Sequence, residues 1–224
     1  MRVLFLSTYL GQEPLGLMWL SGALKAAGHE TRLMLLPDAA FPLKLRRYDP
    51  DVVCHSVTTG AHRAVAGLMT LVKSMQPRAL TIAGGPHPTV VPAYLLEPGL
   101  DAICRGEGEA ALVDLVNALE QGGDLRRIPN IHYKDAGGRI WENAPRPLAQ
   151  DLDALGFPDR ELLYEASDLY GRAERKVFKT DRGCPMNCSF CFHHAWKKKV
   201  YKVTNNEYVR RRSVDHVIQE ARQL

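Results

Sequence analysis

The stretch LTIAGGPHPT, Leu80 to Thr89, decides the fold. Leu80–Ala83 is a short apolar run of the kind that forms a buried strand, and Gly84-Gly85 ends it abruptly. Working outward, the same unit recurs. Val3–Ser7, Arg32–Leu36, Val52–Thr58 and Asp101–Cys104 are further short apolar runs, most bounded by Gly, Pro or Asp. Helical stretches lie between them, at Leu15–Ala27, Ala61–Met75 and Ala110–Leu119. The last carries Leu112, Leu115, Val116 and Leu119, the i, i+3, i+4, i+7 spacing of one buried face. Alternating strands and helices predict an α/β fold with a doubly wound parallel sheet and right-handed crossovers. A ligand belongs at the carboxyl ends of such strands.

Four loops fall at those ends: Gly11–Gly16, Ser56–Gly60, Gly84–Thr89 and Gly106–Glu109. Their glycines let a bulky ligand approach the backbone, and Ser56, Thr58, Thr59 and Thr89 offer hydroxyls. His87 sits in the Gly-Gly-Pro-His-Pro-Thr turn as a cofactor contact or a turn-stabilising residue. His55 lies inside an apolar strand and reads as core. Glu107 and Glu109 could pair as acid and base, although Glu109 also suits the start of the following helix, where the dipole favours negative charge.

The chain has 224 residues, 46% hydrophobic and 24% charged, the composition of a globular protein of one large or two small domains. The N-terminal apolar run is too short for a signal peptide or a membrane span. Three of five cysteines are clustered, which argues against a secreted disulfide scaffold and for a reducing, cytoplasmic setting. Cys54 and Cys104, in apolar strands, read as inert buried thiols. The net charge is +4, and residues 193–224 hold eight Lys/Arg against three Asp/Glu, which leaves the rest near −1. Lys197-Lys198-Lys199 and Arg210-Arg211-Arg212 make that surplus. No nucleic-acid recognition module accompanies it, so nucleic acid is not the expected partner.

TDRGCPMNCSFCFHH, Thr180 to His194, carries Cys184-x3-Cys188-x2-Cys191 just after the strand-like Val177-Phe178. Three thiolates on one loop can hold three irons of a four-iron four-sulfur cluster and leave the fourth open to a small molecule. Gly183 and Pro185 favour the turn, and Asn187 and Ser189 could donate hydrogen bonds to cluster sulfurs. Zinc held by these cysteines with His193 or His194 is the alternative.

This cysteine spacing resembles the radical S-adenosylmethionine (SAM) enzymes, and residues 1–123 resemble the Rossmann-type cobalamin-binding domain that precedes many of them. That domain's signature is Asp-x-His-x-x-Gly, then Ser-x-Leu, then Gly-Gly. Gly11-Gln12-Glu13-Pro14-Leu15-Gly16, Ser56-Val57-Thr58 and Gly84-Gly85 fall on its three parts. Glu13 stands in place of the cobalt-ligating histidine and Gly11 in place of the aspartate, so histidine ligation of cobalt is not expected. The resemblance implies a 4Fe-4S cluster on Cys184, Cys188 and Cys191, with SAM beside Phe190. It also implies cobalamin contacts from Glu13, Gly16, Ser56, Thr58, Gly84, Gly85 and His87.

Residues 124–175 read as a linker. Asn130–Tyr133 and Arg139–Trp141 flank the hairpin signal Asp135-Ala136-Gly137-Gly138. Residues 176–224 read as the start of a radical SAM partial barrel, with a closing helix at Ser213–Leu224, and the chain as a fragment of the whole enzyme. The implied reaction is reductive cleavage of SAM followed by methyl transfer, oxidation or ring formation at a carbon of a small-molecule substrate. A flavodoxin or ferredoxin would supply the electron. Rival readings are a radical SAM protein with a vestigial cobalamin domain, a zinc module, and a nucleic-acid-binding protein.

Overall fold

The computed structural model describes residues 1–8 and 13–224. Gly11, and the part of the first loop that precedes Glu13, lie outside the described residues. The chain runs β1 (Arg2–Ser7), α1 (Leu15–Ala26), β2 (Glu30–Leu35), α2 (Phe41–Tyr48), β3 (Val52–Ser56), α3 (His62–Met75), β4 (Leu80–Gly84), α4 (Pro86–Val90), β5 (Ala102–Cys104) and α5 (Glu109–Glu120). These strands pair in parallel in the order β2-β1-β3-β4-β5, as the alternation of short apolar runs and helices predicts.

Strand alternation builds two cores. Val3 and Phe5 point to one face with Val52, Cys54 and Ile82, under Met18, Leu24, Leu112, Leu115 and Val116 of α1 and α5. Leu4 and Leu6 point to the other with Val53, Ala83 and Ile103, under Leu45, Tyr48, Val65 and Met69 of α2 and α3. Side chains on successive residues leave a strand on opposite sides, so a run with both sides apolar demands helices on both.

The hairpin of residues 130–141 continues this same sheet. Strands β6 (Ile131–Lys134) and β7 (Ile140–Trp141) add antiparallel to β5 and complete a seven-stranded sheet. After α6 (Glu161–Ala166) and α7 (Asp168–Gly171) the chain has no regular element until β8 (Asp181–Arg182), which pairs antiparallel with β9 (Arg210–Arg211). The strand before the cysteines is thus not Val177-Phe178, which are half-exposed, but the pair that finds a partner four residues on. Between β8 and β9 come the cysteine loop, α8 (Phe192–Ala195), a wide π-type turn (Trp196–Tyr201) and α9 (Asn205–Tyr208). The closing helix α10 spans Val214–Ala221, with the Ser213 side chain capping the His216 amide.

Candidate functional site

The carboxyl ends of the parallel strands form one wall of a cavity of about 250 Å³, and the segment that carries the cysteines forms the other. The sheet contributes Gly16, Ser56, Gly84 and the Gly106–Glu109 loop. The opposite wall is Lys179, Arg182, His193, Trp196, Tyr208 and Arg210.

Backbone geometry separates the glycines by role. Gly85 has φ +91°, and a Cβ there would stand 2.7 Å from Ser56 Oγ and 3.0 Å from the Val57 nitrogen. Its missing side chain is therefore required by the close approach of the β3 and β4 loops, before any ligand is considered. Thr89 stitches the next loop down, donating to the Gly85 carbonyl at 2.8 Å and accepting from the Gly106 amide at 3.0 Å. Gly16 is different, because a Cβ there meets nothing within 4 Å. At Gly84 a Cβ meets only Cys104 at ordinary contact distance. These two leave bare backbone beside the cavity, as an approaching ligand requires.

Four of the cofactor candidates, Glu13, Thr58, His87 and Phe190, lie outside the cavity lining. Glu13 is buried away from the cavity in an ion pair with Arg160, at 2.9 Å. His87 is buried and stacked on His62 at 4.5 Å, with its edge against Tyr94 and its Nδ1 3.2 Å from Thr59 Oγ1. Burial, and then the neighbouring His62, lower its pKa. Thr58 is exposed and starts the turn into α3.

Glu107 is the hub of the site. Its carboxylate accepts from Arg210 at 2.8 Å, Arg182 at 3.2 Å and the Ala149 amide at 2.9 Å, while its own amide donates to Tyr201 Oη at 2.9 Å. Glu109 opens α5 and pairs with Arg182 at 2.5 Å. Both carboxylates are committed to arginines, which leaves neither poised as a free acid or base. Lys179 lines the cavity with no ion-pair or hydrogen-bond partner for its ammonium among the described residues. The protein packed about it, then the Arg182 guanidinium, lowers its pKa.

The basic clusters of the sequence divide on folding. Lys197, fully buried, donates to the Met186 carbonyl and to Asn205, and Arg210 and Arg212 are also buried in ion pairs. Lys198, Lys199 and Arg211 remain exposed. Half of the two clusters, three of six residues, thus braces the cysteine segment.

Cys184, Cys188 and Cys191 are free and half-buried on one loop, whose Cys191 amide donates to the Cys188 carbonyl at 3.2 Å. Cys184 and Cys191 both lie close enough to Tyr208 to raise its pKa, after the larger effect of burial. Tyr208 Oη in turn meets His193 Nδ1 at 2.7 Å. Three soft thiols in this order suit an iron–sulfur cluster in type. Among the described residues no three His, Cys, Asp or Glu side chains converge tightly enough to hold a metal ion. Phe190 is 91% exposed and lies outside the cavity wall. Cys54 and Cys104 are buried in the floor; burial raises both thiol pKa values, Cys104 to about 12, so both stay protonated. No described helix is long and apolar enough to cross a membrane.

Residues 1–116 match the B12 binding domain family. An uncharacterized methyltransferase of Pyrococcus horikoshii is 33% identical over 190 residues, covering 80% of this chain and 40% of its own length. A hopanoid C-3 methylase of Methylococcus capsulatus is 32% identical, covering 92% and 41%. The anaerobic magnesium-protoporphyrin IX monomethyl ester cyclase of Synechocystis is 31% identical, covering 88% and 42%. The chain thus spans about two fifths of these relatives. Among solved structures, the cobalamin-dependent SAM radical enzyme OxsB with aqua-cobalamin bound superposes with a TM-score of 0.77 at 22% identity, over 98% of this chain and 31% of that one. The radical SAM methyltransferase TsrM from Kitasatospora setae gives 0.73 at 19%, over 100% and 45%. From its first strand to its fifth helix the fold is the one these proteins share, and the chain belongs to the B12-binding domain family, in the group that includes cobalamin-dependent radical SAM methyltransferases and cyclases.

Proposed function

We propose that this chain holds the cofactors of a cobalamin-dependent radical SAM enzyme acting on a small molecule, by methyl transfer or by oxidative or ring-forming change at carbon. One observation carries the reading. The cavity at the strand ends is roofed by Arg182, Gly183, His193 and Trp196, which flank the loop of Cys184, Cys188 and Cys191, so corrinoid floor and cluster loop are neighbours. The proposed division is residues 1–123 for cobalamin, with the 130–141 hairpin extending the same sheet, 124–175 as connector and 176–224 as the start of the cluster domain. A flavodoxin- or ferredoxin-type reductant and the cytoplasm complete the reading, the latter in keeping with five free thiols.

When bound, the cluster and SAM supply one-electron cleavage of the sulfonium S–C5′ bond, and cobalamin a methyl or electron carrier. The chain's own groups bind and orient. Cys184, Cys188 and Cys191 would ligate three irons and leave the fourth free for SAM. Gly16, Ser56 and Gly84 would lie against the corrinoid, and a cavity of about 250 Å³ admits only part of so large a ligand. Glu107 holds Arg182 and Arg210 in place, which among the described lysines and arginines of the cavity wall leaves Lys179 to meet an anionic group.

The test is the visible spectrum and metal content of anaerobically reconstituted protein. About four irons per chain are expected, with most of the brown absorbance lost in Cys184→Ala, Cys188→Ala or Cys191→Ala and kept in Cys54→Ala and Cys104→Ala. Zinc alone, or equal loss in Cys54→Ala, overturns the cluster assignment. Iron without hydroxocobalamin binding would leave a radical SAM protein with a vestigial first domain.

A further inference from the structure

Four charged side chains lie buried in a row that the cavity does not explain. Glu13 Oε2 accepts from Arg160 Nη1 at 2.9 Å, and Arg160 Nη2 donates to Glu220 Oε1 at 2.6 Å. Glu220 Oε2 then accepts from Arg212 Nη1 at 2.5 Å. None of the four is more than 7% exposed. Burying an ion costs several kcal/mol, offset only when partners and further hydrogen bonds surround it. Two acids and two bases in alternation supply the partners.

The further hydrogen bonds converge on one stretch of backbone. Arg160 Nη2 donates to the Val177 carbonyl at 2.8 Å, and the Val177 amide donates to Glu13 Oε2 at 3.1 Å. Arg212 Nη1 donates to the Lys179 carbonyl at 3.1 Å. Val177 and Lys179 are alternate residues of the segment that leads into β8 and Cys184. Apolar burial contributes little there, since Val177 is 44% and Phe178 37% exposed, and the segment's other ties are polar: Lys176 to the Tyr170 carbonyl at 2.6 Å and the Arg212 amide to the Thr180 carbonyl at 2.9 Å. Glu13, at the other end of the row, is three residues from Gly16 on the cavity floor.

We propose that Glu13 and Arg160 are positioning residues for the cysteine loop. They clamp the approach to Cys184 onto the entrance of α1, so the two walls of the cavity keep a fixed separation. Arg160 is central because its guanidinium serves Glu13, Glu220 and Val177 at once. Lysine offers a compact point charge in place of that planar fork. The consequence for the cluster rests on the function proposed above; the clamp itself does not.

The test is amide exchange by mass spectrometry on the full chain without cofactors. In Arg160→Met, exchange across residues 175–184 rises roughly tenfold while the β3 and β4 peptides keep their protection. Glu13→Gln raises it by about threefold in the same peptide, and Arg160→Lys behaves like Arg160→Met. If Arg160→Met also unprotects the sheet, Glu13→Gln decides. Unchanged exchange at residues 175–184 in Glu13→Gln, or a rise spread evenly over the chain, overturns the proposal. Iron retained after reconstitution is the second readout, expected to fall in Arg160→Met. An exchange change in protein that takes up no iron even as wild type would count against the cofactor reading and leave the clamp standing.

Discussion

Residues 1–123 and residues 176–224 are held together by different physics. In the first region the interior strands β1, β3, β4 and β5 send buried side chains to both faces and the packed helices return apolar stripes, so burial specifies the arrangement. In the second, regular elements are two to eight residues long and large apolar side chains face outward, among them Met186, Phe190 and Val214. What orders it is buried charge: Arg182 and Arg210 on Glu107, Arg212 on Glu220, Lys197 on Asn205. A region ordered by ion pairs can be placed accurately without being independently stable, which suits a loop whose remaining ligands are inorganic.

If that contrast is right, mutations should divide sharply. Phe5→Ala, at a fully buried position in the interior strand β1, is expected to lower unfolding stability by about 3–5 kcal/mol in urea titration. A loss below about 1 kcal/mol would mean the sheet core does not dominate. Gly85→Val comes next, at about 1–3 kcal/mol, because it adds both a positive-φ strain and a collision with Ser56. Gly16→Leu, where a Cβ meets open space, should leave stability within about 0.5 kcal/mol yet weaken hydroxocobalamin binding in equilibrium dialysis. Blocked binding in Gly85→Val would not discriminate ligand space from loop damage, so the Gly16 variant sharpens the comparison.

Acid should act on the sheet region. His55 and His132 are buried, and burial lowers both pKa values below the 6.5 of the unfolded chain. The unfolded state then binds more protons below pH 6.5, so the stability these residues contribute is full above that pH and declines as pH falls through it. The urea midpoint is expected to drop between pH 7.5 and 5.5, with a shallower drop in His132→Gln; an equal slope in that variant would remove the histidine explanation. Smallest of all is Phe190→Ala, 91% exposed, expected to change stability by less than about 0.5 kcal/mol. A larger loss would show that the cysteine segment packs more tightly than its exposed side chains indicate.

The same contrast explains what could be read in the sequence. Strand and helix periodicities are local, so the five parallel strands and the buried face of α5 were legible from Leu80, Val3 and Leu112 outward. The cysteine motif was legible from its spacing. The cavity's opposite wall was not, because its ion pairs join residues 73 and 103 positions apart, Arg182 to Glu109 and Arg210 to Glu107. No propensity marks Arg160, and Trp19, whose ring lies 5.2 and 5.8 Å from the Arg182 and Arg212 guanidiniums, reads in sequence as one more core aromatic. The one available signal was Arg210-x-Arg212, whose alternate spacing puts both side chains on one side of a strand. Glu13 and His87 show the converse, since each was a cofactor candidate by its place in a loop, while the Glu13 carboxylate pairs with Arg160 and the His87 ring stacks on His62, both outside the cavity.

The hairpin at the end of the sheet bears on aggregation. A parallel sheet that stopped at β5 would leave a row of unpaired amides and carbonyls able to template strand addition from another molecule. Here the outermost rung is β7, only two residues long, and its Trp141 ring lies against the guanidiniums of Arg139 and Arg126, at 4.0 and 5.2 Å. At the opposite margin, β2 turns Glu30 and Arg32 outward. Both margins are thus blunted by charge or brevity, so a preparation of this chain should resist edge-to-edge polymerisation even where its cysteine segment is loose.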